Sequence, residues 1–214
     1  MGKFYTESQI ETRALSLLRR YANSVGSSPG PPISAEDILD TVLAKDLGSL
    51  SWELVEEPEG VKRFAYLDSG RRVIVLNEAR RDEIFGTPGF YNTIIAHEIG
   101  HLVLHIDSAR LHQNVLFRLD SIATNDVEHS IDQWDETNAH RFMAHLLMPA
   151  ELVVPLARES DLSSWQGLYH LREEFDVTIT AMRIRLEKLG FNYVDENGVF
   201  HRSRSEALGQ KRLI

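Results

Sequence analysis

Apolar residues recur at helical intervals near the start of the chain. Ile10, Ala14, Leu17, Leu18 and Tyr21 share one face, and Ser8 followed by Glu11 has capping-box spacing, so an amphipathic helix is expected over about residues 8–24. The Gly-, Ser- and Pro-rich stretch 26–32 interrupts it. Beyond this, Ser34 can cap a second helix with Ile38, Leu39, Val42 and Leu43 on one side. Val61 to Leu67 and Arg72 to Leu76 are rich in β-formers around Asp68-Ser69-Gly70, which predicts a hairpin, and Trp52 to Val55 supplies a further strand of a small antiparallel sheet. The helical period returns from Asn92 to His105, although Ile94, Ile95, Ile99 and Val103 would also suit a buried strand. Between Ile106 and Trp134 no period is evident, as in a lid. Helices are expected over 135–148, from Pro149 to about Arg158, over 163–174 and over 178–189, followed by a small hairpin at Asn197-Gly198. The pattern describes an α+β chain: a main domain over 1–158 that includes the N-terminal helices, a helical extension over 159–201 packed on the same core, and a flexible tail over 202–214.

Composition narrows the chemistry. With 214 residues, 43% of them hydrophobic, the chain has the size and apolar content for one main core. The absence of cysteine excludes disulfides, thiolate metal sites and cysteine nucleophiles, so any metal must be held by His, Asp or Glu, and there are nine His. A net charge of −9 opposes loose attraction to nucleic acid or an anionic membrane surface. The chain has neither an apolar stretch of about 18 residues nor a signal-like start, which predicts a cytoplasmic protein with no membrane association.

His97-Glu98-Ile99-Gly100-His101 fits H-E-x-x-H, and two imidazoles four residues apart on a helix lie about 40° apart and can grip one metal. Glu98 then flanks the metal rather than binding it, as a general base requires. A catalytic zinc takes three protein ligands, so one more must come from elsewhere. Asp107 would need a helix-breaking Gly at position 104, where this chain has Leu104, and His105 has drifted a further 40° around the helix. Glu136 is better placed, on a helix whose Ala139, Phe142, Met143, Leu146 and Leu147 can dock against Ile95, Ile99, Leu102 and Val103; Asp132 and Asp135 are alternatives. On this reading His140, on the same face as Glu136, lies behind the ligands and orients an imidazole. Gly100 in mid-helix suggests a close crossing by a neighbouring element.

These stretches resemble the ImmA/IrrE-type metallopeptidases, which pair H-E-[IL]-G-H-x-x-L-H with a later E-x-x-A-[ND]-x-F-A-x-x-L-L-M-P. Here the two read His97-Glu-Ile-Gly-His-Leu-Val-Leu-His105 and Glu136-Thr-Asn-Ala-His-Arg-Phe-Met-Ala-His-Leu-Leu-Met-Pro149. The likeness extends more weakly over about residues 50–190. It implies a zincin-like fold and zinc, with manganese as a second metal, on His97, His101 and Glu136. It also implies Glu98 as general base and acid, and a protein substrate: a helix-turn-helix repressor cut in a stress or mobile-element response. The chain departs from the pattern at His140, usually Asn or Asp, and at Met143, usually Ala.

Tyr91, His105, His112, His129, Tyr169 and His170 are all chemically able to stabilise an oxyanion. An extended substrate could pair with a strand of the 61–76 hairpin. A different class also fits part of the chain. The helices at 163–174 and 178–189 have helix-turn-helix proportions, with Arg183, Arg185 and Lys188 set apart from Met182, Leu186 and Leu189, so a zinc-containing regulatory or DNA-binding protein that binds a repressor without cutting it is the alternative.

Overall fold

The computed structural model describes residues 5–58, 60–105 and 130–209. Helix α1 (Glu7–Val25) presents Ile10, Ala14, Leu17 and Leu18 to the core, the stripe read from the sequence. Its cap lies one half-turn earlier than Ser8. The Thr6 side chain accepts from the Gln9 N–H and the Gln9 side chain accepts from the Thr6 N–H, an equivalent T-x-x-Q box that brings Glu7 into the first turn. Ser34 caps a second helical stretch made of α2 (Ala35–Ile38), a π-helical turn (Leu39–Leu43) and α3 (Ala44–Leu47), with Ile38, Leu39, Val42 and Leu43 all buried.

Strands β1 (Ser51–Val55), β2 (Ala65–Asp68) and β3 (Val73–Asn77) form one sheet in the order β1-β3-β2. The hairpin β2–β3 is antiparallel, but β1 runs parallel to β3, so the sheet is mixed rather than antiparallel throughout. The physical reason is burial. Ile74, Val75 and Leu76 form the most continuous apolar run of the three strands and are buried on both faces of the sheet, and the central place pairs both edges of their strand. β2 alternates instead, with Ala65 and Leu67 inward and Tyr66 and Asp68 outward.

A short helix α4 (Arg81–Gly86) leads to α5 (Phe90–His105), and α6 (Ser130–Leu147) follows the segment outside the described residues. From Ile94 to Leu104 every α5 residue but Val103 is buried. This explains why β-branched residues blur its period: a helix enclosed on all sides needs no polar face. The most extensive contact between elements is α5 on α6, and α1 covers α6 from the other side. Pro149 precedes α7 (Ala150–Glu159); α8 (Trp165–Phe175) and α9 (Ile179–Lys188) follow, then the hairpin β4 (Tyr193–Val194) and β5 (Phe200–His201). Residues expected to fray continue as a turn of helix, α10 (Arg204–Ala207), because Ser203 caps it by accepting from the Glu206 N–H; residues 210–214 lie outside the described part. One contiguous core runs from Ile10 to Val194.

Candidate metal centre

Helix α5 is fixed at its start by a single buried amide. The Asn92 side chain accepts from the Ala35 N–H at 2.8 Å and donates to the Ile33 and Asp176 carbonyls, each at 3.0 Å, so one residue ties the α2 cap and the α8–α9 turn to the helix carrying the H-E-x-x-H residues. Gly89, with φ +73°, precedes it where the Val177 backbone leaves no room for a Cβ. Halfway along, α5 crosses α6 at Gly100. A Cβ there would lie 3.0 Å from the Ala139 carbonyl oxygen and 3.1 Å from its Cα, so the glycine permits the close approach that its position in the sequence suggests.

On either side of this crossing, side chains from both helices converge. His97 Nε2 lies 3.2 Å from Glu136 Oε2, His101 Nε2 lies 3.2 Å from Glu136 Oε1, and the two Nε2 atoms are 3.0 Å apart. Zinc–nitrogen bonds of about 2.0–2.1 Å at tetrahedral angles put ligand atoms about 3.3 Å apart, so this spacing suits one small divalent ion. All three residues are buried, and the carboxylate arrives from helix α6. His140 sits at the rim. Its ring packs on His97 at 4.4 Å between centroids and 50° between planes, and one of its nitrogens lies within 4.8 Å of donor atoms of His97 and Glu136. Among the described residues it makes no hydrogen bond to an imidazole, so the contact with His97 is ring packing rather than an orienting bond.

Glu98, 1% exposed, points to the sheet side, where the Leu67 N–H of β2 donates to its carboxylate. Its Oε2 has no partner among the described residues. Burial, reinforced by the charge of Glu136, pushes the Glu98 carboxyl up to about 8, against the pull of the Leu67 amide. Glu136 goes the other way: burial would raise it, but hydrogen bonds from His101 and His97 hold it down to about 2. Burial lowers His97, outweighing Glu136, and lowers His140 to about 4, with His97 adding to the effect. The result is neutral imidazole at His97 and His140 and an ionised carboxylate at Glu136, the protonation states that metal ligation needs.

Other residues singled out by the sequence fall elsewhere. The Asp135 residue precedes Glu136 on α6, and no metal-ligand cluster among the described residues includes it. Asp107, His112 and His129 lie outside the described residues, as do the side chains of His105 and Asp132 and the proposed lid. The Tyr91 ring belongs to a cluster with Trp52 and Phe85, and burial together with Glu36 raises its hydroxyl above the ordinary range. Tyr169 packs beside Trp165 and under Arg172 on α8, and His170 is exposed. Phe142 is core, whereas Trp134 is half exposed.

The basic face expected on α9 is not a free surface. Arg185 is 5% exposed, its Nε donates to the Met148 carbonyl at 2.8 Å, and its Nη2 reaches His145 Nδ1 at 3.5 Å. Arg183 donates to the Val194 carbonyl. A guanidinium turned inward to satisfy the end of α6 cannot meet phosphate, which removes a main support of the DNA-binding reading. Two structural features had no clear signal in the sequence: the Leu67 amide that holds Glu98, and the group in which buried His145, beside Arg185, meets half-exposed Glu7 through Nε2 at 2.8 Å. Main-chain donors carry no side-chain mark, and Glu7 and His145 are 138 positions apart.

No helix among the described residues is long and apolar enough to cross a membrane. No curated relative matches the chain. The family model for the IrrE N-terminal-like domain, Peptidase M78, matches residues 56–187, which takes in β2, β3, the whole of the converging site and most of α9. With more than half its length matched and both halves of its donor set inside the match, the chain belongs to the IrrE N-terminal-like peptidase family.

Proposed function

We propose that this protein is a zinc-dependent endopeptidase that cuts a protein substrate at a limited number of sites, with a helix-turn-helix repressor as the substrate and manganese as a second usable metal. The observation that carries this reading is the convergence of His97, His101 and Glu136 donor atoms at 3.0–3.2 Å with a buried carboxyl, Glu98, alongside. His97 and His101 through Nε2 and Glu136 through its carboxylate would hold the ion. Zinc bound there supplies Lewis acidity, which acidifies water and polarises a peptide carbonyl.

The remaining steps belong to the chain. Glu98 is fixed by the Leu67 amide and keeps one oxygen without a partner among the described residues, so that oxygen can take a proton from the attacking water and deliver it to the departing amine. A nearby cation would lower the Glu98 carboxyl from its high value and bring it into the range in which it both accepts and releases a proton near neutral pH. β2 is an edge strand of the described sheet and its main chain reaches Glu98. A substrate strand paired with β2 would carry its carbonyls past the same carboxylate, which favours an extended peptide as ligand.

The test incubates the zinc-loaded protein with a helix-turn-helix repressor encoded beside it and identifies fragments by mass spectrometry. Discrete fragments are expected from wild type, and Glu98→Gln should slow their appearance by about 10²–10⁴-fold while retaining metal. Equal cleavage by Glu98→Gln would exclude the mechanism. An inactive wild type with full metal content would favour a regulatory module that binds its partner without cutting it.

A further inference from the structure

We infer that His140 supplies a fourth, displaceable donor to a metal held by His97, His101 and Glu136, closing the coordination position that a substrate or water would otherwise take. The inference rests on the reading of those three residues as the ligands. It begins with the helices. His97 and His101 are four apart on α5, Glu136 and His140 are four apart on α6, and the two helices touch backbone to side-chain position at Gly100 and Ala139. Two residues four apart lie on one face, so two such pairs on either side of one close crossing point at a common centre. Three members of the two pairs already lie within 3.2 Å of one another. The fourth offers a nitrogen within 4.8 Å of His97 and Glu136 donor atoms.

Nothing described holds the His140 ring where it stands. It makes no hydrogen bond among the described residues, it leans on the His97 ring, and it retains an edge open to solvent. Closing from a separation of no more than 4.8 Å to the roughly 3.3 Å of a tetrahedral ligand pair needs at most about 1.5 Å, which a side-chain torsion supplies without moving α6. The open edge makes the same ring the one ligand that solvent or a carbonyl can push aside, whereas His97 and His101 are enclosed. The imidazole reaches further from the α6 backbone than an amide or carboxylate at the same position would. With three imidazoles and one carboxylate the closed state suits tetrahedral zinc, and it disfavours manganese, which prefers more oxygen ligands in octahedral array.

The experiment labels the full-length protein with 15N-histidine, loads it with zinc, and reads each ring nitrogen through the carbon-bound ring protons in two-bond 1H–15N spectra. Three metal-bound imidazoles are expected in wild type and two in His140→Asn. Acetohydroxamate, a bidentate probe for open zinc, should release His140 while His97 and His101 remain bound, and should bind His140→Asn at least tenfold more tightly than wild type. A wild-type spectrum with His97 and His101 bound and His140 free overturns the inference while leaving the ligand assignment intact. Spectra in which His97 and His101 are themselves unbound overturn the ligand assignment and this inference with it. Loss of metal affinity alone is not the readout, because an orienting residue would show it too.

Discussion

Two buried carboxyls, Glu98 and Glu136, respond to pH with opposite sign in the metal-free protein. The folded chain keeps Glu98 protonated up to about pH 8, whereas an unfolded chain releases that proton near 4.5. The folded state therefore binds more protons across this window, and stability falls as pH rises from 4.5 to 8. Glu136, at about 2 when folded, contributes stability that is present above 4.5 and is lost as pH falls towards 2. Replacing Glu98 by Gln removes only the first effect. In chelator, the variant should show a flatter stability profile between pH 4.5 and 8 and a gain at pH 8 on the order of a few kcal/mol, read by urea unfolding. A slope equal to that of wild type would show that Glu98 is not buried as described. The residues of the H-E-x-x-H stretch were legible in the sequence because their relation is local, set by helix geometry alone. What fixes Glu98 was not, because the Leu67 donor is main chain and 31 positions away.

The α5–α6 crossing decides how near the two donor pairs come. Gly100→Ala gains about 1 kcal/mol of helix propensity but places a methyl 3.0 Å from the Ala139 oxygen, and overpacking of that kind costs about 1–3 kcal/mol. The variant should be less stable on balance and hold zinc at least several-fold more weakly, measured against a chromophoric chelator. Gly86→Ala in α4, where nothing lies within 4 Å, is the control: with the propensity gain and no clash it should not lower stability and should leave zinc affinity unchanged. At this scale the sequence predicts most elements, since period and caps are local: α1, α5, α9 and both hairpins appear where expected. It misses what depends on neighbours. The parallel placement of β1 follows from burying β3, and the inward turn of Arg185 follows from the unsatisfied Met148 carbonyl at the end of α6. Arg185→Ala should destabilise the fold by about 1–3 kcal/mol, since it leaves the buried Met148 carbonyl without its donor; the half-exposed Glu7 and Glu11 are screened by solvent and add little. A thermal shift within error of wild type would contradict that arrangement.

Across the molecule, the part that matches the family is not the part that closes the core. The match begins at residue 56, but Ile10, Ala14, Leu17 and Leu18 of α1 belong to the same buried cluster as Phe142 and Leu146 of α6. Glu7 meets His145 and Arg141, and the Tyr5 hydroxyl donates to the Leu104 carbonyl at the end of α5. A fragment of residues 56–187 should therefore lose cooperative unfolding and bind hydrophobic dye, whereas the full chain should unfold in one step. A fragment as cooperative as the whole would show that α1 is dispensable. The contact at Gly100 and Ala139 makes that dependence matter for chemistry. Because α1 packs on α6 as well, how firmly the N-terminal helix is seated bears on the spacing between Glu136 and the two imidazoles. The exposed face of α1 is thus coupled through packing to donor atoms that it does not touch.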